Sequence, residues 1–195
     1  MGEWLFAGVI AALLLYLITV YNRLIRLRNQ YRNAFAQIDV QLQRRHDLIP
    51  NLVSATRAYL RHEQDTLTRV TEARRDAAKA RTDAARQPGE SDAMARLSQA
   101  ENLLSGSLAQ FRAVAESHPE LRADATVSEL MEALTSTENR IGFARQAFND
   151  TVMGYNTYRE QFPNNLIGGL FGPFRAADLL SLETATARQA VTVRL

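Results

Sequence analysis

The sequence predicts an all-α protein: an N-terminal transmembrane helix continuing into an elongated antiparallel up-and-down bundle of four helices with coiled-coil-like packing. Three observations point there. Trp4 to Tyr21 reads WLFAGVIAALLLYLITVY without one charge. From Tyr21 to Phe162 apolar residues recur at spacings of three and four, the mark of amphipathic helices. Gly 9 and Pro 5 are too few for a loop-rich or all-β chain. A length of 195 residues, with 46% hydrophobic and 23% charged, fits one folded domain with an appendage. The expected division is an anchor over 1–21, a cytoplasmic helical bundle over 22–162, and an apolar loop with a C-terminal tail over 163–195.

The apolar run spans roughly 27 Å as a helix, close to the hydrocarbon core of a bilayer. Trp4 and Tyr21 bracket it as interfacial aromatics, and Leu13 and Leu14 lie within it. A cleaved signal peptide fits poorly. Met1-Gly2-Glu3 carries no basic side chain, arginines follow the run at once, and no A-x-A site precedes them. The run therefore reads as an uncleaved anchor. Arg23, Arg26, Arg28 and Arg32 crowd its C-terminal flank, so the positive-inside rule puts the N-terminus outside and the remainder in the cytoplasm. The same arginines can hold anionic lipid headgroups, at about 1 kcal/mol each, or serve only as a stop-transfer flank.

Beyond the anchor, Leu24, Leu27, Tyr31, Phe35, Ile38 and Leu42 continue the helical pattern, with no Gly or Pro between Gly8 and Pro50. Asp47 and Pro50 suggest a break, since Asp caps helices and Pro suits a first turn; a kinked continuous helix is the alternative. The second helix shows Ile49, Leu52, Val53, Thr56, Tyr59, Leu60, Leu67 and Val70. It fades into EARRDAAKARTDAARQ, whose helix propensity and sparse apolar surface suggest a solvated arm or distal tip. Pro88-Gly89 ends it, and Ser91 or Asp92 can cap the third helix, marked by Met94, Leu97, Leu104, Leu108, Phe111 and Val114. His118-Pro119 stops that helix, and Asp124 or Thr126 can cap the fourth, with Val127, Leu130, Leu134, Ile141, Phe148, Val152, Tyr155 and Phe162. Short loops between long helices favour antiparallel neighbours.

After Pro163 the pattern changes. NNLIGGLFGPF is apolar, rich in glycine and poorly suited to a helix. Leu166, Ile167, Leu170, Phe171 and Phe174 must cover one end of the bundle, dip into the membrane interface or meet another copy. Ala176 to Leu182 carries a short helical pattern, and the alternating Val191, Val193 and Leu195 read as the end of a flexible tail, with addition to a partner's sheet edge as the alternative.

Cys 0 excludes disulfides, thiol nucleophiles, zinc ribbons and iron–sulfur sites. Lys+Arg 23 against Asp+Glu 21 gives a net +2, and arginines alternate with acids along the second and third helices, which argues against nucleic acid. The three histidines, His46, His62 and His118, form no i, i+4 pair, and HExxH and phosphate-binding glycine motifs are missing. No catalytic, cofactor or metal residues are therefore assigned. The distinctive polar residues flank the apolar seam: Glu138, Arg145, Asn149 and Asn156 on the fourth helix, and Asn22, Asn29 and Asn33 on the first. They suggest a structural network fixing which helices pair, with Glu138 meeting Arg44 or Arg45; a polar groove or proton-binding network is the rival reading.

The stretch YNRLIRLRNQYRNAFAQIDVQLQRRHDLIPNLV resembles the LemA family of bacterial membrane proteins. So do YLRHEQDTL, SHPELRAD, TENRIGFARQAFNDTVMGYNT and FPNNLIGGLFG, in that order, together covering about residues 21 to 174. The QPGES loop and the tail after Phe174 match only loosely. The resemblance implies a membrane-anchored antiparallel helical bundle and brings no established catalytic activity; the expected location is the bacterial inner membrane, with the bundle in the cytoplasm. One branch of the family is associated with building magnetosome membranes, which implies membrane organisation. The expectation is a non-enzymatic, self-assembling scaffold whose partners are the lipid bilayer and further copies of itself, without nucleic acid or cofactor. The alternative is an adaptor presenting its bundle or tail to another membrane protein, such as a protease, or to a signalling partner.

Overall fold

The computed structural model describes residues 1–170 and 174–182, with the backbone alone over 168–170. It is all-helical, with no strand among the described residues. The first helix, α1, runs without interruption over Gly2–Thr56, roughly 80 Å of rod. Its charge-free N-terminal part lies exposed, Trp4 at 84%, together with Leu13, Leu14 and Tyr21. This one helix is long and apolar enough to cross a membrane.

The break expected at Asp47 to Pro50 is not there. Proline removes one helical donor and frees the carbonyl four residues earlier, here that of His46. Arg74 Nε donates to that carbonyl at 3.0 Å, so the helix continues across Pro50 with the orphaned acceptor satisfied. The chain turns instead at residues 57–63, where Leu60 is buried.

Four further helices follow: α2 (Gln64–Arg86), α3 (Ser91–Glu116), a short α4 (Pro119–Ala123) and α5 (Ala125–Glu160). The cap of α3 is Glu90, whose carboxylate accepts from the Ala93 amide at 2.8 Å, one residue earlier than Ser91. Asp124 caps α5 as its sequence position suggests, accepting from Thr126 and Val127. A further helix, α6 (Asn164–Leu170), occupies the stretch read as unsuited to one. Residues 174–182 are not helical but form an extended strap, contrary to the pattern at Ala176 to Leu182.

The main packing partners are α1 with α5 and α2 with α3, and α1 also contacts α2. The α1–α5 pair is antiparallel: Tyr31 meets Tyr155, Phe35 meets Phe148 and Arg45 meets Glu138. The Ala-rich stretch is no free arm. Ala77 and Ala84 are fully buried, with Ala73 and Ala80 partly so. Their spacing of three and four makes a small-residue seam, which lets helices approach closely without needing large apolar side chains.

Buried apolar residues form two clusters along the rods. One, nearer the apolar N-terminal run, includes Leu24, Phe35, Leu42, Leu97, Ile141 and Phe148. The other includes Ile49, Leu52, Leu104, Phe111 and Leu134. The boundary falls at equivalent places on three helices: between Leu42 and Ile49, Leu97 and Leu104, and Leu134 and Ile141. Each interval is one heptad, and charged side chains fill it.

Candidate functional site

Arg45 and His46 enter that boundary from α1, Glu101 from α3 and Glu138 from α5. Arg45, His46 and Glu101 are almost wholly buried, while 27% of the Glu138 side chain remains exposed. Arg45 pairs closely with Glu101 Oε2; its other terminal nitrogen lies 3.3 Å from Ser105 Oγ and 3.6 Å from Glu138 Oε1. His46 Nε2 lies 2.9 Å from Glu101 Oε1. One carboxylate thus serves two side chains on adjacent positions of α1. Arg45 is the arginine that meets Glu138; Arg44 is exposed.

Burial lowers the Arg45 pKa to about 10, against the counteracting pull of Glu138, so the guanidinium stays charged at neutral pH. Burial is also the main cause holding His46 near 3, helped by the cations Arg45, Arg81 and Arg74 and opposed by Asp47. His46 is therefore neutral, its Nε2–H donates to Glu101, and Nδ1 finds no partner among the described residues. Since the folded pKa lies below the free value of 6.5, the unfolded chain takes up a proton that the folded chain refuses. Stability present above pH 6.5 is lost as pH falls towards 3, by up to about 1.4 kcal/mol per pH unit. His46→Gln keeps a donor for Glu101 and should flatten this acid slope in melting temperature between pH 7 and pH 5. An unchanged slope would show that another group drives it.

A second polar array lies along α5. Asn156 accepts the Ala177 amide at 3.0 Å and donates to the Ala177 carbonyl at 2.8 Å. Asn149 treats Leu180 alike, at 2.9 and 3.2 Å. Tyr155 donates to the Arg175 carbonyl at 2.9 Å, and Arg145 to the Leu182 carbonyl. Two helical turns advance roughly 10.5 Å, and three extended residues about 10 Å. Amides at i and i+7 therefore grip an extended chain at every third residue. The strap runs antiparallel to α5 and also touches the α2–α3 turn, where the Asp178 amide donates to the Gly89 carbonyl at 2.9 Å. Gly89 has φ 83°, and a Cβ there would stand 2.9 Å from Ala177 Cβ, so both the turn and the strap require glycine.

The polar residues of α5 thus divide. Glu138 joins the charged layer between helices, whereas Arg145, Asn149 and Asn156 bind the strap rather than another helix. Asn33, like Asn22 and Asn29, is exposed and belongs to neither group, because its side of α1 turns away from the core. The heptad position of Glu101 between Leu97 and Leu104 was a usable signal for the residue at the centre of the layer. Gly89 left only the weaker signal of a Pro-Gly turn.

At the apolar end, Arg23 lies 4.6 Å from the Tyr158 ring and Arg28 5.6 Å from the Phe174 ring; Arg26 and Arg32 are exposed. Ile167 and Phe174 are buried within the chain, Phe174 edge-on to Tyr21, so they cover the core instead of presenting a free surface. Leu166 remains 54% exposed, while the Leu170 side chain and Phe171 lie outside the described residues.

The model of the LemA family matches residues 34–195, most of the chain. The chain belongs to the LemA family. No curated protein matches it. The LemA match takes in the charged layer, the amide array and the strap together, and begins beyond the apolar run of α1.

Proposed function

We propose that this LemA-family chain is a non-enzymatic, single-pass inner-membrane protein that acts as a self-assembling scaffold, organising or shaping the bilayer from the cytoplasmic side. Its long helices would form an antiparallel up-and-down bundle with coiled-coil-like contacts, the N-terminus lying outside as the flanking arginines favour. The observation that carries the reading is the continuity of α1 from Gly2 to Thr56. A rod that leaves the membrane unbroken couples the orientation of its distal end to that of the span, so neighbouring copies can hold a fixed height and angle. The heptad placement of the charged layer supports the role, because it gives the rods a defined axial register. A non-enzymatic role is favoured by the way the buried carboxylate, arginine and histidine engage one another.

The test is the mass of the full-length protein in mild detergent, by light scattering with the detergent contribution subtracted. A large discrete assembly is expected. A monomer or dimer, in detergent and after cross-linking in native membranes alike, would overturn the self-assembling scaffold. A cross-linked foreign protein would then favour the adaptor reading.

A further inference from the structure

The start of α6 lies beside the apolar run of α1, not beyond its end. Asn164, buried, accepts from the Tyr16 hydroxyl at 3.1 Å and donates to the Tyr158 carbonyl at 3.1 Å. Ile167, on the next turn, is buried in the cluster that holds Val20 and Leu24. Tyr16 precedes Tyr21, where the charge-free run ends, by five residues. Asn164 therefore stands roughly 7 Å along the axis inside that run. A polar side chain at such a level must find its partners in protein, and both ends of this amide do. The apolar side chains around it are left open: Phe162 is 81% exposed and Leu166 54%. Nearby, Arg23 stacks over Tyr158 and sets a cation at the edge of the patch.

We propose that Phe162 and Leu166 insert into the headgroup–acyl boundary of the same bilayer that α1 spans, as a second membrane contact. The inference rests on the anchor reading of α1. The occupant is lipid because the patch is continuous with the span: Tyr16, which holds the start of α6, belongs to the charge-free run itself, and Val20 of that run lies in the same buried cluster as Ile167. Apolar side chains at that level meet acyl chains, and the arginine beside them meets phosphate. Two contacts at different azimuths stop the helices from turning about the axis of α1 and fix which face looks along the membrane.

Trp4 is the only tryptophan, which makes the test direct. The full chain is reconstituted in vesicles of phosphatidylcholine with phosphatidylglycerol, with lipids brominated at a shallow or a deep acyl position. In wild type, quenching of Trp4 by brominated lipid reports the anchor. In the W4F background, F162W and L166W report the proposed contact, and V40W, at an exposed position far along α1, serves as an aqueous control. Circular dichroism checks that each variant keeps its helix content, and either reporter position suffices. The expected result is blue-shifted emission from the indole at 162 or 166, quenched most by shallow bromine and little by iodide, with the reverse for V40W. Lipid quenching of Trp4 together with iodide quenching at both 162 and 166 would overturn the second contact and leave the anchor standing. Emission protected from both quenchers, and restored to iodide on dilution of the protein in lipid, would assign the patch to a second copy and overturn the proposal. Absence of lipid quenching at Trp4 would overturn the anchor reading, and the inference with it.

Discussion

Glu101→Ala is expected to lower the stability of the helical domain by about 3–5 kcal/mol, because it strips a buried arginine of its closest counter-charge. The Arg45 guanidinium would keep only Ser105 and the more distant, partly exposed Glu138, and His46 would lose its acceptor. In a domain of this size that loss corresponds to a fall of roughly 10 °C in melting temperature, read from helical circular dichroism. Glu138→Gln is the internal comparison. Its carboxylate is 3.6 Å from Arg45 and partly hydrated, so the change should cost less than about 1 kcal/mol. Equal effects from the two substitutions, or none from either, would mean that the buried layer does not hold the helices in the way its geometry suggests. Replacing Arg45, His46 and Glu101 together by Met, Leu and Leu should be far milder than Glu101→Ala alone, since no fully buried charge is left stranded and Glu138 keeps its water. Register should then suffer more than stability. The buried positions of the Leu42–Ile49 and Leu97–Leu104 intervals would become apolar, and a one-heptad slip of α1 against α3 would no longer bury an unpaired arginine or glutamate from those two helices.

The helices were legible because their apolar periodicity is strong and their capping residues are local. Asp124 announces α5 from within the sequence and caps it in the structure. What escaped was decided between distant segments. Pro50 reads as a helix breaker because the helix alone has nothing to offer the carbonyl of His46; the donor comes from Arg74 on α2. Alanines at 77 and 84 look too small to mark a core, yet close helix packing buries them because they are small. Asn149 and Asn156 stood out as polar residues beside an apolar seam. Their partner could not be read, since the strap that they hold carries a helical pattern of its own and loses it to four hydrogen bonds. Charge and spacing placed Glu138 with Arg44 or Arg45, while Glu101, which makes the closer pair, was passed over although it stands at the heptad position between Leu97 and Leu104.

The double substitution Asn149→Leu, Asn156→Leu should release the strap while leaving the helices folded. Each asparagine satisfies one amide and one carbonyl of the extended chain, so the pair removes partners from four backbone groups. Were those groups to stay buried, each would cost about 1–3 kcal/mol. The strap has a cheaper course: it can leave α5 and give the groups to water. The cost is then limited to the apolar contacts of Phe174, Ala177 and Leu180, all buried in the same cluster, partly recovered as conformational freedom. Hydrogen exchange should show the amides of Ala177 and Leu180 losing protection in the double variant, with those of Phe148 and Val152 on α5 unchanged. The melting temperature should fall by only a few degrees, well short of Glu101→Ala. Retained protection at both strap amides would mean that apolar burial and Gly89 hold the strap without the asparagines. Lost protection along α5 as well would make the strap an integral wall of the core. Intermediate loss at one position alone, reproduced by the corresponding single substitution, would show that the two amides act independently, as their spacing of two helical turns implies.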